Sequence, residues 1–307
     1  MESRRSGAAL RVFAIYVVLN DAPFIEASLE SVYPFAERIH VLTAHDRTWD
    51  GTVVEPDGTL DKVLAFPDPE GKIAVTRMWC PEDSLARNWL MASYVQTGRR
   101  AGRVKPHAVT KETIEEWRHM PDFFWIVDGD EIYDPETVPR IFDYIARSRA
   151  SWINVWAHVY FKTWNYRVSK LEAFTAFLRP GRYLESVRNP RVRKPIGYVG
   201  RIPLVGRTLM TKMLRMEVVP PQVGVFHHPA YVGPTERIAA KIAHTPHRDF
   251  LVSDWLERVW EPWTPESRNF HPTHPEAFPS AEYVPDDELP EIIRKRCWPE
   301  GYMGKVG

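Results

Sequence analysis

Hydrophobic positions fall in two rhythms over the first 147 residues. Arg11–Leu19 is continuously apolar and reads as a buried strand. Asn20-Asp21-Ala22-Pro23 then opens a helix, with Asp21 as a possible cap and Pro23 in the first turn. Phe24, Ala27, Leu29, Val32 and Phe35 supply its apolar face. Ile39–Thr43 predicts a second strand, and Ala44–Gly51 a polar loop ending in Asp50-Gly51. Lys62–Phe66 and Ile73–Met78 are weaker strand candidates. Asp83–Gln96 predicts a helix, Thr97–Lys105 an exposed basic loop, and Thr110–Met120 a short polar helix. Phe123–Val127 is a further apolar strand, and Pro135–Arg147 an amphipathic helix. Strands alternating with helices predict an α/β fold around a mainly parallel sheet.

After Ser148 the rhythm changes. Trp152–Phe161 is aromatic and partly alternating, Phe174–Leu178 and Val223–His228 read as strands, and Thr235–Ala243 as a helix. From Trp260 the chain is proline-rich with scattered aromatics, which predicts an ordered, extended tail.

The 307 residues carry 40 Lys and Arg against 40 Asp and Glu. This balance argues against a generally basic nucleic-acid or membrane-surface protein. Val12–Leu19 is too short for a transmembrane segment. Cys80 and Cys297 are too few for a disulfide framework, so a cytoplasmic location is expected.

Candidate chemistry concentrates where Phe123–Val127 runs into Asp128-Gly129-Asp130-Glu131. Crowded carboxylates repel unless a cation joins them, and oxygen ligands suit Mg²⁺ or Mn²⁺ with substrate phosphates. Open α/β sheets bind ligands at such strand ends, although Asp and Gly also populate plain surface turns. His227-His228 ends a strand, so one imidazole faces each side of the sheet. Lys241, His244 and His247 lie on or just past a helix and suit phosphate contact or a surface role. Asp46 or Asp50 could accept hydrogen bonds from a base or ribose. Arg87 either reaches a phosphate or forms an ion pair. Trp156, Phe161, Trp164, Tyr166, Trp260 and Trp263 could stack on sugars, but most should be core.

Taken in order, these pieces resemble family-2-type bacterial glycosyltransferases of the GT-A fold. Asn20–Thr52 is similar to that family's opening turn, helix, strand and Asp-Gly-Thr loop, and Ala86-Arg87-Asn88 to its Ala-Arg-Asn helix start. Val127–Glu131 resembles its Asp-Ala-Asp-Glu motif; His228–Val232, Lys241-Ile242 and His247 resemble a stretch that closes the active site. Asn269–Pro272, Pro275 and Leu289-Pro290 are similar to the tail of bacterial members.

The resemblance implies a nucleotide-sugar donor, with a UDP-sugar as first choice, transferred with inversion to an acceptor hydroxyl or thiol. Asp130 and His228 would hold Mn²⁺ or Mg²⁺; Asn20, Asp46, Arg87, Asp128 and His247 would line the donor. Glu185 is the first candidate for general base and Glu172 the second. Residues 1–148 would form the nucleotide-sugar half and 149–307 the acceptor-side half of one continuous GT-A domain. The acceptor is open among a glycan, a lipid intermediate, a natural product, a peptide and a modified polynucleotide; the Arg99–Lys105 cluster keeps the last in view. Thr43 stands where the family carries a base-reading Asp, and Asp21 where it carries Glu. A nucleotidyltransferase and a non-catalytic sugar-binding module are the rival classes.

Overall fold

Strand β1 (Val12–Val18) is apolar along its whole length, so neither face can meet water, and it sits in the middle of a parallel layer. The structure, a computed structural model, describes residues 10–100, 120–180, 182–186, 189–191, 215–245, 250–297 and 302. Helix α1 (Ile25–Val32) follows β1, and β2 (Arg38–Thr43) returns parallel to it. Helix α2 (Thr59–Ala65), β3 (Ile73–Arg77), helix α3 (Asp83–Arg100) and β4 (Phe123–Asp128) complete the parallel set. Strand β5 is only Ile132-Tyr133, and helix α4 spans Val138–Arg147. A long strand, β6 (Trp152–Val168), and β7 (Glu172–Leu178) form an antiparallel pair.

A small hairpin, β8 (Tyr183–Ser186) and β9 (Asn189–Arg191), stands apart from the main sheet. Strands β10 (Met216–Val218) and β11 (Val225–Val232) pair parallel with β6, and helix α5 (Thr235–Ala243) follows. Strand β12 (Ala281–Tyr283) and helix α6 (Glu291–Arg296) lie in the tail. The main sheet runs β3-β2-β1-β4-β7-β6-β11-β5, with β10 and β12 also on β6. The expected α/β fold with a mainly parallel central sheet flanked by helices is thus observed, with β5, β7 and β12 as antiparallel strands within it.

Two local expectations fail. Lys62–Phe66 is not a strand: Thr59–Ala65 is helical. The Asp57 carboxylate accepts the Thr59 N–H at 2.9 Å, and Leu60 and Val63, three apart, are the buried pair. A helix spacing hidden in a five-residue apolar run is invisible to a strand template. The basic loop expected from Thr97 begins as helix, because α3 continues to Arg100. Residues 101–119, which include the expected polar helix, lie outside the described residues.

Both faces of the sheet are covered. Ala14, Tyr16, Trp125 and Val127 pack under α1 and α4, while Phe13, Ile15, Phe124 and Ile126 pack against Leu90 and Tyr94 of α3. The proline-rich tail is ordered by aromatic packing: Phe161 on β6 meets Trp260, Trp263 and Phe270 within 5.4 Å of ring centres. Phe161, Trp164, Tyr166, Trp260 and Trp263 are all buried. They are core residues and not a sugar platform.

His40 on β2 sits between Tyr94 Oη at 3.1 Å and Thr76 Oγ1 at 2.9 Å. Burial lowers its pKa from 6.5 to about 4. The folded state therefore resists a proton that the unfolded chain accepts, so stability falls as pH drops below 6.5 and levels off near 4. The loss should approach 1.4 kcal/mol per pH unit inside that window. In melts between pH 7 and 4.5, His40→Gln should show a shallower acid slope than the parent; an unchanged slope would remove His40 as its source.

Candidate active site

The turn Asp128–Glu131 closes β4 at the carboxyl end of the parallel strands. The Glu131 N–H donates to the Asp128 carbonyl at 3.0 Å, and Ser28 Oγ donates to the same oxygen at 3.3 Å. Strand β5 then leaves at once and pairs antiparallel with β11, Ile132 opposite His227 and Tyr133 opposite Phe226. That two-residue ladder brings Asp130 to His228: Oδ1 lies 3.4 Å from His228 Nε2. Its other oxygen, Oδ2, accepts a hydrogen bond from Lys241 Nζ of α5 at 3.1 Å.

Asp130 is only 4 % exposed. Burial works to raise its pKa, but Lys241, His228 and Arg237 together hold the carboxyl well below the usual carboxylate range. Asp21 responds the other way. Burial first, and the Asp130 charge second, keep its carboxyl well above that range. The two acids are thus pushed in opposite directions.

Asp21 does not cap α1 through its side chain. Its carbonyl accepts the N–H groups of Phe24 and Ile25, both at 2.9 Å, and its carboxylate accepts the Leu19 N–H at 3.1 Å. The same carboxylate lies over Gly129, where an added Cβ would stand 2.5 Å from Oδ2 and 2.7 Å from Asp21 Cβ. The motif needs glycine because another side chain fills that space.

Asp128 faces the α3 side and pairs with Arg87, whose Nε also donates to Asp83 at 2.8 Å. Arg87 is buried, so its guanidinium holds Asp128 in place and is not a surface ion pair. Asn88 brackets the backbone of Leu184: Nδ2 donates to the carbonyl at 2.6 Å and Oδ1 accepts the N–H at 2.7 Å. The Ala86-Arg87-Asn88 segment thereby ties β4 and β8 to one helix.

His228 and His227 do face opposite sides. His227 Nδ1 lies 2.8 Å from Tyr160 Oη on the reverse face. His228 shares its face with Phe174, ring centres 5.2 Å apart, and the register of β7, β6 and β11 puts Glu172 on that face too. Burial raises the Glu172 pKa, partly countered by His228.

Asn20 takes a left-handed conformation, φ 60°, just past β1. Asp46 is half exposed in the loop after β2, with Arg47 4.0 Å away. Asp50 serves its own loop, accepting the Thr52 N–H at 3.1 Å. At the carboxyl ends of β1 to β3 an apolar cleft is lined by Leu19, Leu42, Arg47, Trp49, Met78 and Cys80. Glu185 belongs to β8, but its side chain and the whole of His247 lie outside the described residues.

Sequence reading missed Arg237 and the placement of Asp21. Arg237 precedes Lys241 by one helical turn, so the i, i+4 spacing was the available signal. It stacks 4.7 Å over Phe24 and donates to the Val232 carbonyl at 2.9 Å. Asp21 offered no signal, since its contact with Gly129 spans the fold.

Asp130 offers a carboxylate oxygen of the kind that Mn²⁺ and Mg²⁺ take, and the His228 imidazole beside it would be an added nitrogen donor. Ligands at about 2.1 Å and right angles stand about 3 Å apart, close to the 3.4 Å between Oδ1 and Nε2. Among the described residues no third His, Cys, Asp or Glu joins them. Phosphate and water would supply the remaining positions, as is usual for Mg²⁺.

No family model matches the chain, and neither does any curated protein. Among solved structures it is similar to residues 1–349 of S. aureus TarS, at 13% identity and a TM-score of 0.39 over 72% of this chain and 60% of that one. The same protein in complex with UDP-GlcNAc matches at 13% identity and 0.41, over 76% and 65%. Its UDP complex matches at 13% and 0.40, over 77% and 67%.

Gly129→Ala should destabilise the protein by about 1–3 kcal/mol, the range for forced overpacking. Because the obstacle is the Asp21 side chain, the double variant Asp21→Gly/Gly129→Ala should regain part of that loss. Chemical denaturation of the four proteins measures the coupling, and strictly additive effects would contradict it.

Proposed function

We propose that this chain is a metal-dependent, inverting glycosyltransferase of the GT-A type that uses a nucleotide-sugar donor, a UDP-sugar as first choice. The observation that carries the reading is Asp130: a buried carboxylate at the end of a central strand, flanked by an imidazole, an ammonium and a guanidinium. Clustered, perturbed groups at the carboxyl end of a central strand favour a functional site. The small apolar cleft at the ends of β1 to β3 is lined by Leu19, Leu42, Trp49 and Met78. No carboxylate lines it, which fits the Thr43 departure.

In this reading Asp130 and His228 would hold Mn²⁺ or Mg²⁺, which when bound supplies Lewis-acid stabilisation of the departing diphosphate. Lys241 and Arg237 contribute positive charge to the phosphate side. Arg87 fixes Asp128 toward the ribose, while Asn20, Asp46 and His247 border the donor. An acceptor hydroxyl or thiol attacks the anomeric carbon as a carboxylate takes its proton. Glu172 suits that role, being half-buried on the His228 face, and Glu185 on β8 is its rival. The acceptor class stays open among glycan, lipid intermediate, natural product, peptide and modified polynucleotide. A nucleotidyltransferase would want a glycine-rich basic loop after β1, where the half-buried acid Asp21 stands. A non-catalytic sugar module would want exposed aromatics, and the late aromatics are largely core.

UDP with Mn²⁺ at a hundredfold excess over Kd should stabilise the protein by about 2.7 kcal/mol, read as a rise in Tm, and Asp130→Asn should lose that rise. A panel of nucleotide sugars assayed for released nucleotide identifies the donor; no release and no Tm shift with any of them would defeat the proposal. Once a donor is known, Glu172→Gln should lower kcat by about 10²–10⁴-fold with donor affinity kept. If Glu185→Gln does so instead, the base lies on β8.

A further inference from the structure

Asp130 already has a cation. Lys241 Nζ sits 3.1 Å from Oδ2, in a pocket where the carboxylate side chain is 6 % exposed and the lysine side chain 37 %. Lys241 also lies 5.7 Å from the centre of the Tyr231 ring, so its ammonium is held over this end of the site. Arg237, one turn earlier on α5, adds a second positive charge to the same carboxylate. The partly exposed lysine can swing toward solvent; Arg237 is tied to the Val232 carbonyl and to Phe24.

This inference rests on the donor-site reading above. A divalent cation on Asp130 and His228 would stand close to the Lys241 ammonium. Two cations that near each other in a poorly solvated site repel strongly. Metal alone would therefore displace Lys241 without offering the ammonium a new anion. A diphosphate arriving with the metal offers one. We infer that Lys241 is the resident counter-cation of Asp130, which yields the carboxylate to the metal and passes to the donor diphosphate, making metal and nucleotide bind cooperatively. The coupling is reciprocal: each ligand raises the affinity for the other by the same factor. Lys241 is a positioning residue in this scheme, acting on occupancy of the site.

The test is Mn²⁺ binding by calorimetry to the full chain, with and without UDP, for the parent, Lys241→Met, Lys241→Arg and Asp130→Asn. In the parent, UDP should raise Mn²⁺ affinity by about tenfold or more, within the usual range of such couplings. Lys241→Met should bind Mn²⁺ alone about tenfold more tightly, with the UDP effect reduced; Lys241→Arg, which keeps the charge, should behave like the parent. Melting curves check that each variant folds. If Lys241→Met is unfolded, Lys241→Gln takes its place. Mn²⁺ affinity that is unchanged or weaker in the neutral variant overturns the exchange, while loss of UDP–Mn²⁺ binding in Asp130→Asn alone would leave the donor site standing. If Asp130→Asn binds UDP and Mn²⁺ as the parent does, the donor-site reading fails and takes this inference with it.

Discussion

A buried carboxylate is costly unless opposite charge and hydrogen bonds compensate it, and Asp130 sets that demand at the centre of this molecule. Its partners come from far along the chain. His228 arrives on β11 and Lys241 and Arg237 on α5, roughly a hundred residues later. The protein cannot bury Asp130 in this way until the second half of the chain has docked on the first. Site formation and assembly of the sheet are therefore one event.

The connection is short. Strand β5 contributes two residues, yet its pairing with Phe226 and His227 fixes where the turn after β4 meets β11. Tyr133 stacks on Phe226 at 5.0 Å between ring centres, so apolar packing secures the same register that the backbone ladder sets. A slip of one residue would turn His227, now bonded to Tyr160, toward Asp130 and send His228 to the reverse face. On the other side of the turn, Arg87 restrains Asp128 and Asn88 restrains β8. One helical dipeptide thus positions Asp128 and the strand that carries Glu185.

Much of this was legible because the signals were local. Phe123–Val127 is apolar without interruption, as a strand buried on both faces must be. The alternation of the two histidines follows from strand geometry alone. Lys62–Phe66 misled because five apolar-rich residues fit either period, and the decision lay with Asp57 and the burial of Leu60 and Val63. The role of Arg87 was undecidable from sequence, because a phosphate ligand and a buried ion pair call for the same residue type. The late tryptophans, equally suited to core or ligand, were settled by Phe161, around which Trp260 and Trp263 pack.

The least legible feature is also the most instructive. In the sequence, Asp21, a shortened acid in the turn after β1, and Gly129, in the turn after β4, read as two separate features. In the fold they are one. The shorter acid turns back onto β4 and occupies the volume that a Cβ at residue 129 would need. There burial, and after it the charge of Asp130, push the Asp21 carboxyl above the usual carboxylate range. Asp21 therefore couples the turn after β1 to the turn after β4, and a change at either residue is felt at the other.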